Sequence, residues 1–283
     1  MPAILDIEGT EYTLVGVQRG GLAVYRGSNG YLRLGDEISV ARDVASHREM
    51  EQAGYPIARI IAEGEMLEGS YYIETSQGDI SFRNLFSAEI QSDGEISDST
   101  FKTFLEIVER YLSRQVSTRR VTDGADFRAR VKLDALCAEM PQQAEELTAQ
   151  FEQTVEALSA MPYVLSHGDF NAANLYERGV IDLEDTLSAP FGYDAVTALC
   201  TVDWIPPEGN YEYTRSYTFT PVQKAEYIAL IDTVTLRNGI PPVSYAYQSL
   251  EFLRAIWMVS DLQKWPRARA YMHKQFMNKY LAE

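Results

Sequence analysis

One stretch limits this chain more than any other: His167-Gly168-Asp169-Phe170-Asn171-Ala172-Ala173-Asn174-Leu175, followed by Val180-Ile181-Asp182. An acid and an amide five residues apart lie on a loop that leaves the apolar run Tyr163-Val164-Leu165, and a second acid ends the next apolar run. Two short strands with a loop between them can bring Asp169, Asn174 and Asp182 into one cleft. One carboxylate is then free to accept a proton. The other two side chains offer oxygen ligands to a hard cation such as Mg²⁺, whose octahedron substrate phosphates complete. Metal, positioned nucleophile and neutralised charge are the parts that phosphoryl transfer requires. An Asp-x-x-x-x-Asn loop alone is ordinary turn chemistry. The preceding His-Gly, and the Ile-Asp that falls eight residues after Asn174, set this one apart.

The rest of the chain divides in composition near residues 75–80. Before that point the pattern is mostly strand. Residues 12–17 are β-rich, Gly20-Gly21 interrupts them, residues 22–26 resume, Ser28-Asn29-Gly30 supplies an Asn-Gly hairpin turn and residues 31–34 follow. A helix over 38–53 ends at Gly54 and Pro56, and strands are expected over 57–62 and 71–74. After the divide the pattern is mostly helical, with helices expected over 98–115, 126–140, 142–160, 222–238, 245–264 and 267–282. Short strands are expected at 163–165 and 180–182. The expected fold is α+β with two lobes: residues 1–76 as a small antiparallel sheet lobe, and residues 77–283 as a larger, mostly helical lobe.

The motif resembles that of the aminoglycoside phosphotransferase and choline kinase superfamily, His-Gly-Asp-x-x-x-x-Asn followed by a hydrophobic-Ile-Asp strand end. The protein-kinase counterpart has His-Arg-Asp, so Gly168 places the chain nearer the small-molecule branch. The resemblance is strongest over 163–198 and weaker over 12–76. It implies a bilobal protein-kinase-like fold and an ATP-dependent phosphotransferase acting on a hydroxyl of an aminoglycoside-like, amino-alcohol or sugar acceptor. It also implies Asp169 as base or orienter of that hydroxyl, Asn174 and Asp182 as Mg²⁺ ligands, and Asp194 as a brace for the catalytic loop. His167 reads as a structural hydrogen-bonding residue.

By the same resemblance the first lobe holds ATP. The hairpin Gln18-Arg19-Gly20-Gly21 would cover the phosphates, with Gly20 and Gly21 allowing close approach, although it lacks a Gly-x-Gly-x-x-Gly pattern. The usual strand lysine is replaced by Arg33, which is not an equivalent group. Helical phase places Asp43 with Val40, Val44, His47 and Met50, and Glu49 on the more polar side, so Asp43 is expected to hold Arg33. The Glu74 carbonyl and the Ser76 amide would read adenine. On the acceptor side, residues 203–220 are aromatic and acidic. Asp203 and Trp204 are the candidates there, a surface suited to a cation. The basic residues Arg267, Arg269, His273 and Lys274 read as a solvated helix face.

Composition excludes some alternatives. With a net charge of −16 and a pI near 4.7, nucleic acid and anionic membranes are poor partners. Cys137 and Cys200 have no disulfide or metal spacing, the first residues lack a signal-peptide pattern, and no apolar run reaches membrane-span length, so a cytoplasmic location is expected. A pseudokinase or nucleotide-binding scaffold without turnover is the competing reading, motivated by Arg33. The identity of the acceptor and the oligomeric state stay open.

Overall fold

The computed structural model describes residues 2–18, 21–122, 124–260 and 265–281. Its first lobe is a six-stranded antiparallel sheet in the order β1-β2-β3-β4-β6-β5. The strands are β1 (Ile4–Ile7), β2 (Thr10–Val17), β3 (Ala23–Gly27), β4 (Gly30–Gly35), β5 (Ile60–Met66) and β6 (Gly69–Glu74), and helix α1 (Glu37–Gln52) lies between β4 and β5. The expected meander is present. The fifth strand begins later than expected, and β1 adds an edge strand that its alternating acids disguise as a polar terminus. Two apolar clusters form on opposite sides of the sheet. Tyr12, Tyr25, Leu32, Leu34 and Ile73 make one, and Leu22 and Tyr72 pack on Val40 and Val44 of α1 to make the other.

The strand period of two decides what faces α1. In β4, Leu32 and Leu34 enter the first cluster, so Arg33 points the other way. In β6, Ile73 enters the first cluster, so Tyr72 and Glu74 share the face of Arg33. The register pairs Arg33 with Tyr72 and Tyr31 with Glu74, which makes Arg33 and Glu74 diagonal neighbours within reach of long side chains.

The second lobe is helical: α2 (Phe82–Asp93), α3 (Asp98–Gln115), α4 (Ala125–Arg130), α5 (Leu133–Glu139), α6 (Ala144–Ala157), α7 (Tyr193–Trp204), α8 (Pro221–Arg237), α9 (Val243–Val259) and α10 (Pro266–Tyr280). The helix expected over 126–140 breaks at Lys132, whose backbone is left-handed at φ 62°. Helices α2 and α7 had not been expected, although α2 carries ordinary end signals: Ser81 accepts from the Asn84 amide, and Gly94 closes the helix at φ 81°. The stretch 180–182 forms single bridges to Ile57 and Leu175 rather than a strand. Strands β7 (Tyr163–Ser166) and β8 (Leu187–Pro190) pair antiparallel and close the base of the loop between them.

That loop is pinned from below by Asp194, in the first turn of α7 and fully buried. Its carboxyl group accepts from Tyr111 Oη at 2.9 Å, Gln115 Nε2 at 2.7 Å, the His167 amide at 2.8 Å and the Gly168 amide at 3.0 Å. Truncating it strands several buried donors at once, each costing about 1–3 kcal/mol, so Asp194→Ala is expected to lower folding stability by about 3 kcal/mol or more. Urea unfolding checks this. A loss below about 1 kcal/mol would mean that the loop is held by other contacts.

Candidate active site

The catalytic loop folds as its sequence dictates at two points. Gly168 sits at φ 85°, and a Cβ built there would lie 2.1 Å from the Asp185 carbonyl oxygen, so only glycine fits. His167 is fixed through both ring nitrogens: Nε2 lies 2.8 Å from the Ile181 carbonyl, and Nδ1 accepts from the Asp169 amide at 3.2 Å. Its role here is to hold the loop.

Asp169, Asn174 and Asp182 converge. Asn174 Nδ2 donates to the Asp169 carbonyl at 2.9 Å and to Asp169 Oδ2 at 3.3 Å. The Ile181 amide donates to the Asn174 carbonyl at 3.0 Å, which sets Asp182 beside Asn174. Sequence reading missed the partner of Asp169. Arg254 of α9, only 1% exposed, donates through Nη2 to Asp169 Oδ1 at 2.6 Å and through Nη1 to the Gly168 carbonyl at 2.9 Å. Burial works against ionisation of Asp169, but Arg254 and the Asn171 side chain outweigh it and hold the carboxyl below its usual range. A charged residue within the apolar run 250–256 was the available signal, because a charge in a core helix needs a partner.

Asp182 behaves differently. It has left-handed backbone at φ 69°, a conformation rare outside glycine and frequent at functional sites. Burial pushes its carboxyl up to about 7, although Arg33 pulls the other way. Arg33 Nη1 stands 3.9 Å from Asp182 Oδ1, and Gln18 Nε2 donates to the same oxygen. The hairpin above the cleft thus reaches the acid. Gly21 makes the tight turn there, its amide donating to the Gln18 carbonyl at 3.1 Å with φ 90°. Gly20 lies outside the described residues.

The anchor of Arg33 differs from the expected one. The buried residues of α1 are Val40, Asp43, Val44, His47 and Met50. Arg33, however, binds Glu74 and not Asp43: Nε and Nη2 both stand 2.7 Å from Glu74 Oε1. His47 Nε2 lies 2.9 Å from Glu74 Oε2, and its Nδ1 lies 3.2 Å from the Asp43 carbonyl. Asp43 itself accepts from the Tyr72 hydroxyl at 2.5 Å. The reason is the strand period. Glu74 and Arg33 lie on one sheet face, whereas the short Asp43 side chain stops at Tyr72. Burial alone would push the Glu74 carboxyl up, but Arg33 and His47 outweigh it and hold it at about 2. His47 is raised in turn: burial opposes the imidazolium, and its bond to Glu74 prevails. Glu49 is exposed and pairs with Arg120 at 2.8 Å. Ser76 stands two residues beyond Glu74, its hydroxyl donating to the Gly78 carbonyl at 3.0 Å.

Asp169 also lines two recesses that share Thr201, Ile205, Tyr213 and Trp265 in their walls. One, of about 350 Å³, includes Arg83, Asn171, Asn174, Tyr213 and Tyr217. The other, of about 130 Å³, includes Lys132, Arg254, Trp257, Trp265 and Arg269. The candidates Asp203 and Trp204 line neither. Asp203 pairs with Lys224 at 2.5 Å, and Trp204 is buried against Tyr280 with ring centroids 6.2 Å apart. Thr201 and Val202 of α7, and Ile205 just beyond its end, reach the recesses, so Asp203 and Trp204 lie on other sides of the helix end. Nor is the basic run of α10 uniformly solvated. Arg267 is exposed and pairs with Glu212 at 3.1 Å, but Arg269 is buried and faces the smaller recess.

A two-lobed kinase-like fold with these groups across its cleft is that of a small-molecule kinase. Residues 36–227 match the APH model, which describes a phosphotransferase enzyme family, and the chain belongs to that family. No curated protein matches it significantly. Among solved structures it is similar to an aminoglycoside phosphotransferase APH(3'')-Id from Streptomyces rimosus in complex with ADP and streptomycin: 16% identity, 82% of this chain and 88% of that one covered, TM-score 0.51. It is similar to a Plasmodium vivax ethanolamine kinase at 12% identity, with 96% and 83% covered and a TM-score of 0.59. A GDP complex of a mutant aminoglycoside 2'-phosphotransferase-IIIa gives 12% identity, 95% and 89% covered, and a TM-score of 0.58.

Two outcomes follow from this geometry. Glu74→Gln removes the charge that fixes Arg33 and is expected to weaken nucleotide binding about tenfold, while Glu49→Gln leaves it unchanged. Titration with a fluorescent nucleotide reads both, and equal effects would disconnect Glu74 from the nucleotide. Arg254→Gln frees Asp169 to shift and is expected to lower kcat about 10²-fold with little change in KM for the nucleotide.

Proposed function

We propose that the chain transfers the γ-phosphoryl group of ATP to a hydroxyl of a small molecule, with Asp169 as the proton acceptor and Asn174 and Asp182 as ligands of Mg²⁺. The observation that carries this reading is the position of Asp169. It lies against Asn174, within electrostatic reach of Asp182, and lines both recesses. An acceptor hydroxyl there stands between the proton-accepting carboxylate and the phosphate groups.

The donor set fits a hard cation. Asn174 commits its amide nitrogen to Asp169, which leaves its oxygen as the ligand. The raised carboxyl of Asp182 is the kind that a divalent ion returns to the ionised form. Two protein oxygens with phosphates completing the shell is the usual Mg²⁺ arrangement in kinases. When bound, Mg²⁺ neutralises the charge on the β- and γ-phosphates. The chain's own groups do the rest. Arg33, anchored by Glu74, reaches toward Asp182 from the phosphate side. Arg254 fixes Asp169 so that its carboxylate faces the acceptor. The acceptor oxygen bonds to the γ-phosphorus, the bond from that phosphorus to the β,γ-bridging oxygen breaks, the hydroxyl proton passes to Asp169, and ADP leaves. The lowered Asp169 carboxyl makes it a weak base, suited to orienting the hydroxyl and taking its proton late, as a loose transition state requires.

Asp169→Asn is expected to lower turnover by about 10²–10⁴-fold while nucleotide binding persists. Chelation of divalent ions is expected to abolish transfer, and Mg²⁺ to restore it. Coupled detection of ADP reads both. Turnover that survives in Asp169→Asn would remove Asp169 from the chemistry.

A further inference from the structure

His47 is a buried titratable group that the proposed mechanism leaves unused. It stands on the inward stripe of α1, only 2% exposed. Each ring nitrogen faces an oxygen acceptor: Nε2 lies 2.9 Å from Glu74 Oε2, and Nδ1 lies 3.2 Å from the Asp43 carbonyl. The carbonyl has no proton to give, and Glu74 is held ionised by its partners. A neutral imidazole donates from one nitrogen only, whereas the imidazolium donates from both. The geometry is therefore that of the charged ring.

Charge balance leads to the same state. Four buried groups form one cluster, with Arg33 and His47 as its bases and Glu74 and Asp43 as its acids. Asp43 accepts from Tyr72 through Oδ2, while its Oδ1 is buried without a hydrogen bond, 3.9 Å from His47 Nδ1. Two cations answer two anions only when the ring is protonated, and unanswered buried charge is costly. The groups that face His47 come from each element around it: Arg33 from β4, Tyr72 and Glu74 from β6, and Asp43 from α1 itself. The turn Leu183–Asp185 also packs on α1 and carries Glu184 and Asp185. Burial disfavours the imidazolium and Arg33 opposes it, but the bond to Glu74 and the Glu74 and Asp43 charges prevail and raise the ring above its ordinary 6.5.

Glu74 carries the effect across the sheet. Its Oε1 takes Nε and Nη2 of Arg33, and its Oε2 takes His47. One edge of the carboxylate is thus tied to α1, and the other sets the guanidinium whose Nη1 turns toward Asp182. We propose that His47 is a positioning residue for the nucleotide: as the imidazolium it locks Glu74, and through it Arg33, against the phosphates, and nucleotide affinity falls when the ring loses its proton. This inference rests on the reading of the cleft as a nucleotide site. The His47 contribution to affinity is full below the ring's raised value and is lost as the pH rises through it.

The test titrates a fluorescent ATP analogue with Mg²⁺ into the full chain and into His47→Gln, from about pH 6 to about pH 9. Glutamine can still donate to Glu74 but carries no charge. Asp182, raised to about 7, titrates in the opposite sense and is common to both chains, as are the phosphates, so the ratio of the two affinities isolates His47. The intact chain is expected to bind about fivefold tighter or more at the acid end, with the ratio approaching one at the alkaline end. NMR of the intact chain, which has three histidines, supplies a readout that needs no variant of His47. Because linkage is reciprocal, saturating Mg²⁺-nucleotide is expected to raise the His47 titration by about 0.7 pH unit, the logarithm of that fivefold ratio. Glu74→Gln is expected to lower it. A ratio that stays constant with pH, or a His47 titration unmoved by nucleotide, is what a merely structural histidine gives, and either overturns the inference. Binding of no nucleotide at any pH instead overturns the phosphotransferase reading itself, and this inference with it.

Discussion

A single buried carboxyl group, that of Asp194, holds the active loop in place. It gathers two consecutive backbone amides, His167 and Gly168, with two side chains of α3, Tyr111 and Gln115. Backbone amides next to a left-handed glycine have no strand or helix partner, and buried amides without partners are costly. Asp194 meets that need from the first turn of α7, where an acid also complements the helix dipole. The rest of the loop is then set by distance along the chain. Asp169 follows Gly168 directly, the loop returns through Asn174 to Ile181, and His167 ties its two ends. The position of Asp169 is thus fixed by helices α3 and α7, which lie below the cleft.

The first lobe solves a different problem with similar means. A guanidinium buried in a sheet face has to be balanced, and the three donors and acceptors around it form a chain: Arg33 to Glu74, Glu74 to His47, His47 to the Asp43 carbonyl. Each charge in this chain is desolvated, and a buried ion with its partner removed is strongly destabilising. The cation is therefore pre-positioned, at the expense of side-chain freedom it would otherwise lose on meeting a phosphate. Arg33 also exceeds a lysine in reach and in number of donors, so one end of the guanidinium can bind Glu74 while Nη1 turns toward Asp182.

How much of this was legible depended on whether the signal was local. The loop from 167 to 182 is local: its residue types and spacings already brought Asp169 and Asn174 together, as their hydrogen bonds do in the structure. The buried stripe of α1 is equally plain from helical phase. The partner of Arg33 was not, because phase says which residues face inward and not which one reaches. Two candidate acids were sought on α1, while the strand period of Tyr72-Ile73-Glu74 placed a third on the same sheet face. Arg254 lies 85 residues from Asp169, and no periodicity links them; only its charge within a core helix marked it. Helix α2 was obscured by a modest apolar face despite its Ser81 and Gly94 ends. The tip of the covering hairpin, where Gly20 falls, is beyond the described residues.

Net charge is only an indirect guide to the acceptor, for a physical reason. The value of −16 is a sum over the whole chain, in which exterior pairs such as Glu49–Arg120, Glu63–Arg48 and Glu109–Arg237 cancel, and it does not say where the unpaired charge lies. Charges separated by more than about 8 Å of salt solution hardly feel one another. A half-enclosed cavity, by contrast, is screened little, and its local charges act at full strength. What a ligand meets next to Asp169 is therefore governed by the groups that line the recesses, whatever the sign of the remaining surface. Aromatic content is an indirect guide in the same way. Tyrosines and tryptophans near acids in sequence suggested a cation site. In space Asp203 and Glu212 pair with Lys224 and Arg267, and the Trp257 ring in the smaller recess lies under the Arg254 and Lys132 cations.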